Sequence, residues 1–132
     1  MSRPVVVVAR ELPPLFMQGI ASVAEVRVFD PGNAAQSLQG ASVWLGTAVD
    51  PVPADRIASF PDSIGLIANI GVGTDNIDLN AAAARGIAVS NTPVVTGDTA
   101  DLAMALLLAT CRRLSASESL LRADQHRSRS AG

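Results

Sequence analysis

Gly71-Val72-Gly73-Thr74-Asp75-Asn76 is the segment whose residue types and spacing suit a ligand. It follows a β-branched run and precedes a helix start, so successive backbone N–H groups there can form a concave anion site. A carboxylate is a sensible guest. The spacing fits equally well a tight turn that needs glycine for backbone freedom. As a dinucleotide fingerprint the segment fails twice. Asn76 stands where a third glycine belongs, and the next strand ends Ser90-Asn91 with no acidic residue. The other reactive side chains offer little. His126, the only histidine, sits in a polar tail with no positioned acid beside it. Cys111, the only cysteine, falls late in an apolar helix and reads as a small buried hydrophobe. One His and one Cys cannot build a metal site. The carboxylate pairs Asp75 with Asp78 and Asp98 with Asp101 read as caps or turns. No catalytic residue and no metal ligand is expected.

Composition narrows the classes further. The chain has 132 residues, one domain's worth, with 48% apolar and 17% charged residues, which suits a globular protein. All ten basic residues are Arg. Without lysine there is no P-loop phosphate grip, no Schiff base and no receiver-type switch. A net charge of −2 without a basic patch argues against nucleic acid. A single cysteine forms no internal disulfide and fits a reducing, cytoplasmic setting. The apolar run at Val5 is stopped by Arg10 and Glu11, too soon for a signal-peptide core. The longest apolar stretch, 103–109, is far short of the ~20 residues of a membrane span.

The elements that must position the glycine loop alternate along the chain. Unbroken β-branched residues over 3–10 predict a strand covered on both faces, and a helix is expected over 12–23. Residues 24–30 alternate apolar and polar, as an edge strand does. The cluster Asp30-Pro31-Gly32-Asn33 predicts a turn, followed by a short helix over 34–39 and a strand over 41–45. Two prolines make 46–53 irregular, and Pro53 opens a short helix over 54–60. A fourth strand over 64–70 runs into the glycine loop. Asp78 caps a helix over 79–85, Gly86 takes the position after it, and 87–90 is the fifth strand. Five strands interleaved with helices imply an α/β fold, a flavodoxin-like parallel sheet with helices on both faces.

Thr99 is expected to cap a long helix over 100–114 whose first ten residues carry almost no polar group but Asp101. Apolar on all sides, it expects neighbours on all sides. A five-stranded domain covers one side, so either another domain or subunit packs on the outer face, or the helix is merely a sticky core element. Beyond it, 115–132 reads as a frayed helix end and a disordered tail.

From Leu66 to Arg113 three motifs appear in order: Ile67-Ala68-Asn69-Ile70-Gly71-Val72-Gly73-Thr74-Asp75-Asn76-Ile77-Asp78-Leu79, Arg85-Gly86-Ile87-Ala88-Val89-Ser90-Asn91-Thr92-Pro93, and Thr99-Ala100-Asp101-Leu102-Ala103 with Leu106-Leu107-Leu108-Ala109. Together they resemble the D-isomer-specific 2-hydroxyacid dehydrogenases, in particular the glyoxylate/hydroxypyruvate reductases. The resemblance implies a flavodoxin-like substrate (catalytic) domain joined to a Rossmann domain that binds NAD or NADP. It implies hydride transfer between nicotinamide and C2 of a 2-oxo or 2-hydroxy acid. By motif, Val72 and Gly73 match the positions whose backbone N–H groups hold the substrate carboxylate. Thr47 and Ala48 lie in the segment that matches, by position only, the loop closing over the substrate. Thr99 matches a residue near the nicotinamide end of the cofactor. The apolar helix is then an inter-domain helix near a dimer contact.

That resemblance divides the chain into a substrate domain over 1–98, an inter-domain helix over 99–114 and the tail. Family members run to more than twice this length, and after Asp124 the likeness stops. The expectation is a truncated or frameshifted frame without the nucleotide-binding domain or the family's Arg, Glu and His. On its own the chain is expected to be inactive and to bind no NAD or NADP tightly. Its partner would be a small 2-oxo or 2-hydroxy acid. Two other classes stay open: a carboxylate-binding module, and an interaction module that homodimerises through the helix over 100–114.

Overall fold

The computed structural model describes residues 3–130, with side chains through residue 123. In chain order the elements are β1 (Val5–Val8), α1 (Pro14–Val23), β2 (Glu25–Val28), a 3-10 turn (Pro31–Asn33), α2 (Ala34–Leu38) and β3 (Ala41–Thr47). There follow α3 (Ala54–Ala58), β4 (Leu66–Ile70), α4 (Leu79–Ala84), β5 (Ala88–Ser90), α5 (Thr96–Cys111) and α6 (Leu114–Ser130). The strands form one parallel sheet in the order β2-β1-β3-β4-β5. This is the expected flavodoxin-like order, with a switch point between β1 and β3.

Alternation along β1 explains the two cores. Val7 faces a large cluster with Leu38 of α2, Ile57 of α3, Ala82 of α4, and Trp44 and Ile67 from the sheet. Val6 and Val8 face the other side with Ala24, against which Met17 and Ile20 of α1 pack. Val7, Val8, Ile57 and Ile67 are fully or almost fully buried, and each contributes roughly 1.5–3 kcal/mol. Trp44 sits at the centre of the larger cluster. Phe29 meets it edge-on and Phe60 lies tilted against it, each with ring centroids 5.1 Å away. The Arg56 guanidinium covers the Phe29 ring at 4.5 Å. β2 is the edge strand the sequence predicts, with no residue buried.

Arginines do much of the end-capping. Arg3 donates to the carbonyls of Ala21 and Ser22 in the last turns of α1. Arg85 donates to Ile57 and Phe60 at the end of α3. Each satisfies carbonyls that a helix terminus leaves free.

Four expectations are corrected. β3 runs on through Gly46 and Thr47, because both residues stay paired with β4, at Asn69 and Ile70. The irregular stretch therefore begins later than its prolines suggest. Thr99 is not the N-cap of the last apolar helix. α5 starts three residues earlier, and the Thr99 hydroxyl donates to the Val95 carbonyl within the first turn. Cys111 is exposed rather than buried. Finally, 115–130 is not a disordered tail in its described part: after a break at Arg113, which has φ 49°, α6 continues to Ser130. The last two residues of the expected tail, and the His126 side chain, lie outside the description.

By internal contacts the chain divides into Met1–Pro93 and Val94–Gly132. The first unit holds the sheet. The second holds α5 and α6, and no residue of α5 is buried within it. Among the described residues no helix is long and apolar enough to cross a membrane.

Candidate functional site

The loops that leave β3, β4 and β5 meet at the carboxyl end of the sheet, where open parallel sheets bind ligands. The β4 loop is Gly71-Val72-Gly73-Thr74-Asp75-Asn76. Three of its consecutive carbonyls are occupied. Gly71 O accepts from Thr92 N at 2.9 Å. Val72 O accepts from Asn91 Nδ2 at 2.8 Å, and Gly73 O from Asn69 Nδ2 at 2.8 Å. In a trans peptide the N–H points opposite to the carbonyl, and no cis bond occurs among the described residues. The N–H groups of Val72, Gly73 and Thr74 therefore face away from those partners. Among the described residues none of the three donates to a protein acceptor. Val72 and Gly73 are exposed and Thr74 is half-buried, so the loop lies at the surface.

Thr47 and Ala48 stand next to this loop, but their donors are engaged. Thr47 N and Oγ1 both donate to Asp50 Oδ2, at 2.8 and 2.7 Å, and Ala48 N donates to Ile70 O at 3.1 Å. Ala48 contributes shape instead. A Cβ on Gly71 would lie 2.7 Å from that of Ala48, closer than carbon atoms approach. Gly71 is therefore required for room and not for a left-handed backbone.

Asp50 anchors the β3 loop. It is buried, and Arg10, at the end of β1, donates to its Oδ1 through Nε at 2.6 Å and also through Nη2. Burial pushes the Asp50 carboxyl up. Hydrogen bonds from the Thr47 hydroxyl and N–H, with Arg10, outweigh it and hold the pKa below the ordinary carboxylate value.

The loop does not suit a dinucleotide. The Asp78 carboxylate accepts from Ala81 N at 2.9 Å and so occupies the N-terminus of α4, where a pyrophosphate would need to sit. The carboxamide of Asn76, in place of the third glycine, reaches toward the β3 loop. No cluster of three metal-ligating side chains occurs among the described residues. Thr99 belongs to the second unit. Its hydroxyl proton is held by Val95, which leaves the oxygen free to accept.

The sequence reading singled out Val72 and Gly73 but passed over Thr74, the third free donor. It also passed over the side chains that tie the carbonyls down, Asn69, Asn91 and Thr92. The signal for these was present, as amides and a hydroxyl at the ends of strands beside a glycine loop.

Comparison with known proteins places the chain. The family described as D-isomer specific 2-hydroxyacid dehydrogenase, catalytic domain, matches residues 5–126. A D-3-phosphoglycerate dehydrogenase of Mycobacterium tuberculosis is 36% identical over 126 residues, covering 92% of this chain and 24% of the relative. A glyoxylate reductase of Thermococcus litoralis is 32% identical over 137 positions, covering 98% of this chain and 41% of the relative. Among solved structures, an NADPH-dependent glyoxylate/hydroxypyruvate reductase from Sinorhizobium meliloti in complex with citrate aligns with a TM-score of 0.76 at 36% identity, over 92% of this chain and 39% of that one. The same enzyme in complex with NADP and malonate aligns with a TM-score of 0.71. The chain thus spans between a quarter and two fifths of the length of these relatives. With its profile match over nearly the whole length and its five-stranded parallel sheet, the chain belongs to the D-isomer-specific 2-hydroxyacid dehydrogenases, in their catalytic domain.

Proposed function

We propose that the loop over 71–76 holds the carboxylate of a small 2-oxo or 2-hydroxy acid, of the glyoxylate or hydroxypyruvate type, for an NAD(P)-dependent 2-hydroxyacid dehydrogenase. One observation carries this reading: three consecutive carbonyls are tied down while the three N–H groups beyond them are free. Such a row of donors suits the two oxygens of a carboxylate. Thr47 and Ala48 line the site by shape. In the reaction of this family, hydride from NADH or NADPH and a proton convert the C2 carbonyl into the alcohol. The part of the first unit is to fix the acid so that C2 is presented; Thr99, in the second unit, is the residue proposed to approach the nicotinamide end of the cofactor.

The side chains that hydrogen-bond the loop are Asn69, Asn91 and Thr92, and amides and an alcohol do not cycle a proton near neutrality. The 132-residue chain is therefore expected to bind the acid without reducing it and to hold NAD or NADP weakly at most. Titrating the 15N-labelled chain with oxalate tests the reading. The Val72, Gly73 and Thr74 amide signals should move downfield together, and the neutral diamide oxamide should leave them in place. Shifts scattered over the surface, or none, would remove it.

A second reading is favoured by α5. Leu102, Met104, Leu106, Leu107 and Leu108 are each more than half exposed, and apolar groups this dense seek cover. The chain would then act as an interaction module that homodimerises through this helix. Light scattering across a concentration series should show dimer formation that Leu107→Glu abolishes, and a monomer at every concentration would exclude it.

A further inference from the structure

Asn76 is the residue that disqualifies the loop as a dinucleotide fingerprint, and its contacts give it a different task. Its Nδ2 donates to Asp50 O at 2.8 Å and to Thr47 O at 3.1 Å, with Asn69 Oδ1 at 3.3 Å. Its own carbonyl accepts from Val52 N at 2.7 Å, and the next residue, Ile77, bridges Val52 in parallel fashion. One side chain and one carbonyl thus join the whole 47–52 segment to the far end of the β4 loop. At the near end, Gly71 lies against Ala48 with no room for a methyl group. In between, Asn69, itself 3% exposed, holds Gly73 O. The loop is pinned at both ends, so its middle has few ways to turn its N–H groups inward.

We propose that Asn76 is a positioning residue for the carboxylate loop. Its carboxamide couples the β3 loop to the β4 loop and keeps the Val72, Gly73 and Thr74 donors aligned before any acid arrives. This rests on the reading of those donors as the carboxylate site. Asparagine suits the task because two backbone carbonyls three residues apart need two protons from one short planar group. A glycine there would supply none. Alignment in advance lowers the ordering cost of binding, so losing it should weaken the acid's affinity without the residue touching the acid.

The full 132-residue chain with Asn76→Ala, and with the near-isosteric Asn76→Asp, provides the test, with oxalate as probe. Both variants should keep wild-type Trp44 emission and wild-type methyl spectra. Their 15N heteronuclear NOE values at Val72, Gly73 and Thr74 should fall, and the oxalate Kd should rise about tenfold. In the wild type, the two carboxamide protons of Asn76 should exchange with solvent well below the free-amide rate, a reading that needs no variant. If wild type fails to bind oxalate while both variants still lose loop order, the positioning role stands and the carboxylate reading falls. Unchanged loop order and affinity in both variants, or wild-type Asn76 carboxamide protons exchanging at the free rate, would overturn the proposal.

Discussion

Gly71→Ala should cost the chain about 1–3 kcal/mol and weaken oxalate binding at least tenfold. The reason is local and steric. The added methyl would sit 2.7 Å from the Ala48 Cβ and 3.4 Å from the Ala48 Cα and N. Relieving the first contact takes a shift of nearly an ångström in one of two loops that are hydrogen-bonded on both sides. Gly71 N is held by Thr92 Oγ1 at 2.8 Å and Ala48 N by Ile70 O at 3.1 Å, so neither gives easily. Removing the other methyl, in the Gly71→Ala/Ala48→Gly double variant, leaves only the 3.4 Å approaches and should recover most of both losses. Such recovery is the signature of a pairwise clash. Gly65→Ala, just ahead of β4 and outside the loop, is the control. Its new methyl would meet nothing within 4 Å, so affinity should change less than threefold. Urea unfolding and oxalate titration of the four chains read this directly. A Gly71→Ala variant as tight and as stable as wild type would show that the two loops are not in contact in solution.

The second large effect concerns acid. The Asp50 carboxyl is held below its ordinary pKa in the folded chain, so folding favours its charged form. That contribution is fully present above the unfolded value near 3.8 and is lost as pH falls through the lower folded value. Arg10 is half exposed, with its side chain at 53%, so solvent screens much of the ion pair. Most of the stabilisation lies in the two hydrogen bonds from Thr47, because bonds to a buried charge are worth about 1.5–3 kcal/mol. Asp50→Asn should therefore be about 2 kcal/mol less stable than wild type at pH 7, and the gap should narrow steadily below pH 4. Urea midpoints at pH 7, 4 and 3 measure it. A gap that stays constant with pH would mean that the charge of Asp50 contributes nothing to folding.

Much of this arrangement was readable from the residues, and the failures share a cause. The order of the strands followed from β-branched runs separated by helices, and Asp78 and Gly86 marked the ends of α4 correctly, Gly86 with φ +67°. The glycine loop is a local signal, two glycines after a strand, whereas the choice of Val72 and Gly73 within it rests on the resemblance to the family. What was missed is nonlocal. That the carbonyls of 71–73 are tied down depends on Asn69, Asn91 and Thr92, and no periodicity links Asn91 to Val72 across 19 residues. That β3 reaches Thr47 depends on its partner, Ile70 of β4. Thr99 seemed a cap because a threonine before an apolar run usually is one. The hydroxyl instead satisfies the Val95 carbonyl one turn back, an alternative open to any threonine in a helix. The exposed Cys111 fails for the reason the leucines of α5 do: apolar sequence predicts burial without saying against what.

The chain has one tryptophan and no tyrosine, so Trp44 is its only strong ultraviolet chromophore. That indole lies 2% exposed between Phe29 and Phe60, and its buried Nε1 has no partner among the described residues. Emission excited near 295 nm therefore originates entirely from the middle of β3, while α5 and α6 are optically silent. Far-ultraviolet circular dichroism, by contrast, draws strongly on those two helices, which contain 16 and 17 residues. Tryptophan emission thus observes the first unit alone while circular dichroism sums over both, and neither curve alone measures the stability of the whole chain.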